Sequence, residues 1–293
     1  MKRLMLSAVL VAFAFGAHAQ SRLLVGNKSA DTVWALDTTN GERIAEYATG
    51  PAPHEIAVSA DGRHAVVTTY GHREPHHALT VVDLVGGRTR SIDLGAHGRP
   101  HGLQLLADGD ALVTTEASGS LLRVDVRRGE VTGVADVGEG VGHMVAVSPD
   151  GTAAYVSKIR AGTVVRVDVA TMQVTAERPA GAGAEGIAIA PDGRHALVTN
   201  ATAATLSVFD VAARSAITTV ALTPTDAALQ DTLLGRGPLP IGAVVDAAAD
   251  RAYVAISGAD RVAVVDTRDW RVIDHWATGR EPDALAIVPA SPE

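Results

Sequence analysis

The stretch that decides the fold, residues 53–68, reads Pro53-His54-Glu-Ile-Ala-Val-Ser-Ala-Asp61-Gly62-Arg-His-Ala-Val-Val-Thr. Its first apolar strand is followed by an Asp-Gly pair, which is the strongest short-range hairpin signal, and then by a second apolar strand. Versions of the stretch begin again at Pro100, Gly142 and Ala184. A hairpin that recurs along the whole chain predicts a repeat architecture.

A second recurring element is an apolar strand that ends in aspartate. Its copies end at Asp37, Asp83, Asp125, Asp168, Asp210 and Asp266. The spacing from the valine of the preceding strand to this aspartate is constant in all copies except the one that ends at Asp83, which is four residues longer. An aspartate present in every unit is best explained as a turn-forming residue.

The repeat unit predicts the fold class. Each unit reads as four short strands in about 40 to 45 residues, which is the period of a β-propeller blade. Residues 23–25 match a second strand and residues 282–287 match a first strand, so the two ends of the chain are expected to complete one blade. The sequence therefore predicts a single all-β propeller of six four-stranded blades, with seven as the alternative. Residues 223–239 are an insertion, for which we predict a loop with a short helix.

Composition and the N-terminal residues predict export. Of the 293 residues 47% are hydrophobic, which suffices for one large domain or two small ones. A basic start, an apolar run and Ala17-His18-Ala19 predict a signal peptide over residues 1–19, too short to span a membrane, followed by the propeller domain over residues 20–293. We thus expect a periplasmic or secreted protein. The lack of cysteine excludes disulfides and thiol chemistry, and the net charge of -8 argues against a broad nucleic-acid-binding surface.

The Pro-x-Gly-Ile-Ala, Pro-Asp-Gly, Tyr-Val and Val-Asp elements resemble the YVTN family of β-propeller repeats, including its exported bacterial members. The likeness covers essentially all of the mature chain. It implies a propeller, which in that family typically has seven blades. It does not specify a function, because the shared residues form turns and core strands.

One position of the repeat differs chemically from blade to blade. It lies just before the first strand, at the place where the blades should converge on one mouth of the central channel, and it holds His54, His101, His143, Glu185, Ile241 and Asp283. Imidazoles and a carboxylate on consecutive blades predict a site for a divalent transition metal (Zn, Cu, Ni or Fe), with His54, His101, His143 and Glu185 as ligands. Asp283 is predicted to contact a ligand at the same mouth.

Two alternatives to this metal site stay open. Repeats arise by duplication, so the histidines could be inherited and form only a polar lining of the channel. Side chains also alternate along a strand, so an error of one residue in their direction would turn the other set towards the axis. That set consists of Glu55, Gly102, Met144, Gly186, Gly242 and Ala284.

Further ligand-binding candidates lie in connections between strands. The enlarged loop of residues 70–77 supplies His72, His76 and His77, and Arg99 precedes His101. Lys158 lies just after a second strand. Residues at roughly corresponding places in other blades are Glu116, Asn27, Asn200 and Ser257. For each of these, an exposed loop residue or a surface ion pair is the alternative.

The motifs that are absent limit the possible functions. The chain has no phosphate loop, dinucleotide fingerprint, Gly-x-Ser-x-Gly elbow or haem-attachment motif, so no organic cofactor is expected. The first hypothesis is a periplasmic binding protein that captures a small ligand or a metal ion at the His-rich mouth. The second is a metal-dependent hydrolase or lyase, for example a lactonase, that uses the same site. The third is a scaffold for a partner protein.

Overall fold

The computed structural model describes residues 21–180, 188–191, 193–224, 228–232 and 234–290. The first half of this part contains β1 (Arg22–Asn27), β2 (Thr32–Asp37), β3 (Arg43–Ala48), β4 (Pro53–Val58), β5 (His64–Thr69), β6 (Ala78–Asp83), β7 (Thr89–Asp93), β8 (Pro100–Leu105), β9 (Ala111–Thr115), β10 (Ser120–Asp125), β11 (Glu130–Asp136), β12 (Gly142–Val147) and β13 (Ala153–Lys158). The second half contains β14 (Thr163–Asp168), β15 (Gln173–Pro179), β16 (Ala188–Ile189), β17 (His195–Asn200), β18 (Thr205–Asp210), β19 (Ser215–Ala221), β20 (Asp231–Thr232), β21 (Gly235–Arg236), β22 (Pro240–Asp246), β23 (Arg251–Ile256), β24 (Arg261–Asp266), β25 (Arg271–Ala277) and β26 (Pro282–Val288), with one 3-10 turn at Ser257–Ala259.

These strands form the six four-stranded antiparallel blades that the repeat predicts. Blade 1 has the order β26-β1-β2-β3, so the last strand of the chain pairs with the first, and Leu285 lies opposite Val25. Blades 2, 3 and 4 are β4–β7, β8–β11 and β12–β15, and blades 5 and 6 are β16–β19 and β22–β25. The predicted all-β class, blade number and closure are confirmed.

The recurring aspartates cap turns, as the sequence analysis proposed. Each accepts a hydrogen bond from a backbone N–H two or three residues further on, as Asp37 does from Thr39 and Asp168 does from Thr171. The Asp-Gly hairpins work in the same way. Asp61 accepts from the N–H of Arg63, and Gly62 takes the left-handed conformation (φ 67°) that favours glycine.

Apolar side chains of neighbouring blades pack together and form the core. One cluster joins blades 1 and 2 through Leu24 and Val67, and another joins blades 6 and 1 through Tyr253 and Leu23. Similar clusters lie between blades 2 and 3, 3 and 4, and 5 and 6. Burial of apolar surface between these neighbouring blades stabilises the ring.

A β-bulge interrupts the start of the first strand in five blades and positions the residues at the channel mouth. Pro53 pairs with Thr69 but Ile56 pairs with Val67, so the register shifts across the two intervening residues, and the same shift occurs in blades 1, 3, 4 and 6. A side-chain hydroxyl of the second strand satisfies an N–H in the bulge, as Thr68 does for Glu55 (2.9 Å). Simple strand alternation therefore does not apply at this position.

The insertion of residues 223–239 contains a small hairpin, β20–β21. In its described part, which leaves out residues 225–227 and 233, the insertion forms no helix, and the short helix predicted there falls partly on residues outside that part and stays a prediction. The insertion rests on blade 6, since the N–H of Gln230 donates to the carbonyl of Gly258 (2.7 Å).

The signal peptide predicted over residues 1–19 lies outside the described residues and stays a prediction. Among the residues that are described, none belongs to a helix long and apolar enough to cross a membrane.

Candidate functional site

The first strands of blades 1 to 4 bring four of the predicted residues together. The rings of His54 and His101 lie 4.9 Å apart between centroids, and those of His101 and His143 lie 3.9 Å apart. On the other side of His54, its Nε2 lies 3.8 Å from Oδ2 of Asp283. Residues at equivalent positions of the repeat thus form an arc of polar side chains around the axis, as expected from the alignment of the blades.

A second arc comes from the residues that directly follow the second strands, namely Lys28, Tyr70 and Glu116. These positions are structurally equivalent. Each donates its backbone N–H to the left-handed residue just before a first strand, from Lys28 to Glu281 (2.9 Å), from Tyr70 to Ala52 (3.0 Å) and from Glu116 to Arg99 (3.0 Å). We call Lys28, His54, Tyr70, His101, Glu116, His143 and Asp283 the axial site.

Lys28 and Tyr70 are not among the site residues predicted from the sequence. The set predicted just after second strands places Asn27, Lys158 and Asn200 beside Glu116, although the residues equivalent to Glu116 lie one position further on, at Lys28, Ile159 and Ala201, and that set includes no residue of blade 2. The signal that would have found them is the constant offset of three residues from the recurring valine, as from Val113 to Glu116. A shift of one residue along a strand turns a side chain to the opposite face.

Tyr70 connects the two arcs. Its hydroxyl donates to Oε2 of Glu116 at 2.6 Å, and its ring stacks on that of His54 with 4.5 Å between centroids. The guanidinium carbon of Arg99 lies 4.7 Å from the centre of the Tyr70 ring. The N–H groups of Arg99 donate to the carbonyls of Gly71 (3.5 Å), His72 (3.4 Å) and Arg73 (3.1 Å), which ties the enlarged loop to the site.

Three side chains of the axial site have the composition and spacing of a metal-binding set. One ligand atom from each of His101, Glu116 and His143 lies within 4.8 Å of the other two. Nδ1 of His101 is buried and has no hydrogen-bond partner among the described residues, whereas Nδ1 of His143 lies 2.6 Å from Oε1 of Glu116. A buried imidazole nitrogen without a partner is costly unless something binds it. Two imidazoles with a carboxylate suit zinc and neighbouring divalent metals, so the residues present fit such an ion.

Burial and nearby charges keep the imidazoles of His54 and His101 neutral. Burial, together with the charges of His143, His54 and Lys28, lowers the pKa of His101 well below its usual value. Burial also lowers the pKa of His54, against the opposing effect of Asp283. Burial alone would raise the pKa of Glu116, but hydrogen bonds from His143 and Tyr70 outweigh it and lower that pKa. A neutral imidazole and an ionised carboxylate are the protonation states that bind a cation.

A buried ion pair closes the arc at blade 1. Nζ of Lys28 lies 3.2 Å from Oδ2 of Asp283, and both residues are more than nine-tenths buried. Glu55 stands beside His54 in the bulge, and its removal from water together with the charge of Asp283 raises its pKa to about 8. Glu55 therefore holds a proton at neutral pH.

The remaining predicted residues lie elsewhere or outside the described part. Glu185 is in the segment of residues 181–187, which the structure does not describe, so its role as a ligand stays a prediction. His72 is exposed and pairs with Asp31 (2.8 Å), and His76 lies beside Oγ1 of Thr69 (2.8 Å) and stacks on the exposed His77. Lys158 is buried against Glu177 of the outer strand β15, with 3.2 Å between Nζ and Oε1.

Comparison with known proteins was made at the level of families, sequences and structures. A family model described as SMP-30/Gluconolactonase/LRE-like region matches residues 74–288, which include His101, Glu116, His143 and Asp283. It agrees with the propeller class that the repeat motifs indicate, while the narrower YVTN name stays a resemblance. A comparison with curated protein sequences gave no significant match.

Solved structures share the fold at low sequence identity. A periplasmic gluconolactonase of Pseudomonas aeruginosa, PpgL, is 19% identical with a TM-score of 0.64, over 93% of this chain and 99% of that one. The hydrazine synthase of Kuenenia stuttgartiensis is 19% identical with a TM-score of 0.58, over 90% of this chain and 85% of that one. A chain of a nidogen/laminin complex is 11% identical with a TM-score of 0.66, over 93% and 100%. At these identities the likeness concerns the fold alone.

Proposed function

Because the chain belongs to the SMP-30/gluconolactonase/LRE-like family, we propose that it is a metal-dependent lactone hydrolase whose reaction takes place at the axial site. The observation that carries the proposal is the convergence of His101, Glu116 and His143, together with a buried nitrogen of His101 that has no hydrogen-bond partner in the described part of the chain. The propeller fold that the chain shares with a protein described as a periplasmic gluconolactonase supports the same reading. We also propose export to the periplasm, which rests on the predicted signal peptide and on that neighbour.

In this proposal His101, His143 and Glu116 hold a divalent cation such as zinc. The cation would supply Lewis acidity towards the carbonyl oxygen of a lactone. Tyr70 and His143 orient the carboxylate of Glu116 through their hydrogen bonds to its two oxygens. Such hydrogen bonds fix the direction of a ligand side chain and tune its basicity.

His54 and Asp283 are suited to handle the proton. Nδ1 of His54 lies 3.1 Å from the carbonyl of Ala52, so that nitrogen carries the hydrogen and Nε2 is left as the acceptor. A proton taken from the attacking water at Nε2 would be stabilised by Asp283, whose Oδ2 lies 3.8 Å away. The acyl–oxygen bond of the ring then breaks, and the proton passes to the ring oxygen, which gives a hydroxy acid.

The test combines metal analysis with a panel of lactones. Purified wild-type protein should contain about one equivalent of a divalent transition metal and should hydrolyse at least one γ- or δ-lactone, measured as acid release. His101→Ala should lose the metal and the hydrolysis, because it removes the buried ligand. Ile241→Ala, the equivalent position of blade 6, is the matched control and should keep both.

Other outcomes would change the assignment. If no divalent metal binds and added zinc, nickel or copper does not raise the melting temperature, the metal-dependent mechanism is wrong. Metal binding without hydrolysis of any lactone would support the capture of a metal ion or small ligand, which the sequence analysis put first. Recognition of a partner protein by the loops at the channel mouth stays a prediction.

A further inference from the structure

Lys28 is a buried cation with unused hydrogen-bonding capacity. Its side chain is 8% exposed, and in the described part of the chain its only hydrogen-bond partner is Oδ2 of Asp283, at 3.2 Å. An ammonium group carries three N–H donors, so two of them have no protein acceptor among the described residues. Leaving donors of a buried charge unpaired is costly, which makes the position suited to an acceptor that arrives from outside.

The ammonium group lies next to the groups to which we assign the chemistry. Nζ of Lys28 and Nε2 of His54 approach the same oxygen, Oδ2 of Asp283, at 3.2 Å and 3.8 Å. Arg99 is a second cation at the axial site, but it is only partly buried, and three of its N–H groups donate to the carbonyls of residues 71–73, which holds its guanidinium against the enlarged loop. Lys28 is thus the buried cation of the axial site, and a single protein oxygen accepts from its ammonium group in the described part of the chain.

We propose that Lys28 binds a carboxylate oxygen of the ligand, so that the axial site takes small hydroxy carboxylates. This inference rests on the proposed function, because hydrolysis of a lactone turns the carbonyl carbon that reacts into such a carboxylate. With a divalent cation held by His101, His143 and Glu116, the charges of Lys28 and Asp283 leave the site net positive, which favours an anion. Hydrogen bonds between an ammonium and a carboxylate are about twice as strong as those between neutral groups.

Lys158 provides a matched control within the same molecule. Both lysines are 6% exposed, and each lies 3.2 Å from one carboxylate oxygen. Lys158, however, pairs with Glu177 of an outer strand, and in the part of the chain that the structure describes its side chain makes no hydrogen bond or ion pair with a residue of the axial site. Replacing either lysine by methionine removes one buried ammonium group, but only Lys28→Met leaves a buried carboxylate behind, because the side chain of Glu177 is 45% exposed and that of Asp283 is 9% exposed.

The experiment measures the binding of two probes to the purified protein as isolated, by calorimetry. The probes are 4-hydroxybutanoate, which is the ring-opened form of γ-butyrolactone, and 4-hydroxybutanamide, its neutral counterpart. Wild-type protein should bind the carboxylate at least about tenfold more tightly than the amide. Lys28→Met should remove this preference, Lys28→Arg should retain part of it, and Lys158→Met should leave it unchanged.

Two additions keep the test decisive. Since Lys28→Met leaves Asp283 buried and unpaired, the double variant Lys28→Met with Asp283→Asn removes both charges and should fold while lacking the preference. If either folded variant still prefers the carboxylate as the wild type does, or if Lys158→Met loses the preference equally, the proposal is wrong. Hydrolysis of γ-butyrolactone by the wild type is measured separately. Lys28-dependent carboxylate binding without hydrolysis would overturn the proposed enzyme but keep this binding site.

Discussion

Blades 3 and 6 have the same backbone at the channel mouth but different chemistry. Both first strands start with Pro-x-Gly after a residue in the left-handed conformation, Arg99 (φ 56°) in one and Leu239 (φ 51°) in the other. The carbonyl of each of these left-handed residues accepts an equivalent backbone hydrogen bond at 3.0 Å, from the N–H of Glu116 in blade 3 and from that of Ser257 in blade 6. Where blade 3 has a histidine at the x position, blade 6 has isoleucine. The bulge is therefore a property of the scaffold, and the identity of a few side chains makes the site.

The largest effect is expected when the carboxylate of blade 3 is removed. Glu116→Ala deletes one proposed metal ligand and leaves the hydroxyl of Tyr70 and Nδ1 of His143 without their partner. Metal affinity and lactone hydrolysis should fall by at least about 100-fold. Ser257→Ala, the equivalent change in blade 6, should alter neither, as measured by metal titration and initial rates. Retention of the metal in Glu116→Ala would show that Glu116 is not a ligand.

The next effect should be shared by the two blades, because the glycine after the x position lies against the next first strand in both. An added Cβ at Gly102 would lie 2.6 Å from the carbonyl oxygen of His143, and one at Gly242 would lie 2.2 Å from that of Asp283. Gly102→Ala and Gly242→Ala should each lower the free energy of unfolding by about 1–3 kcal/mol in urea titrations. Gly26→Ala, where the added Cβ meets ordinary contacts from 3.4 Å, serves as the control. Unchanged stability in Gly242→Ala would mean that blade 6 can move away from the axis.

A smaller effect depends on pH and concerns Glu55, which stands where blades 3 and 6 have glycine. Its pKa is raised from 4.5 to about 8, first by burial and then by the charge of Asp283. Between about pH 4.5 and pH 8 the folded side chain keeps its proton while the unfolded chain loses it. Stability should therefore fall as the pH rises through this window, by at most about 1.4 kcal/mol per pH unit.

Glu55→Gln should flatten this dependence, because glutamine has the same shape and does not titrate. The variant should be more stable than the wild type at pH 8 and similar to it near pH 4.5, measured by urea unfolding across the pH range. Glu42→Gln, at an exposed carboxyl group, is the control. An identical pH slope in Glu55→Gln and in the wild type would contradict the raised pKa.

The smallest effect should come from the hydroxyl of Tyr70. Tyr70→Phe keeps the ring on His54 but removes the 2.6 Å hydrogen bond to Glu116. The loss of one hydrogen bond to a charged group corresponds to roughly a tenfold lower metal affinity or kcat/KM. Tyr155→Phe, at a tyrosine that is 41% exposed, should behave as wild type. If both variants behave alike, Tyr70 does not orient the carboxylate.

Much of the axial site could be predicted from the sequence because a repeat converts spacing into proximity. His54, His101, His143 and Asp283 occupy one position of the alignment, and closure of the ring places them side by side. Glu116 is a candidate from the sequence, whereas Lys28 is missed by one residue of register and Tyr70 is assigned only to the enlarged loop. Because of the bulge, simple strand alternation does not apply at Glu55 and Gly102, and the amino-acid sequence alone does not reveal such a shift in register.

The sequence by itself determined the blade, the blade number and the closure of the ring, because these follow from local hydrophobic periodicity and turn-forming residues that every unit repeats. Only the tertiary structure decided which polar side chains meet. The ion pair of Lys28 with Asp283 joins the two ends of the chain, and the hydrogen bond from Tyr70 to Glu116 joins blade 2 to blade 3. Contacts of this kind depend on how far each strand end turns towards the axis, and that depends on packing between blades rather than on local sequence.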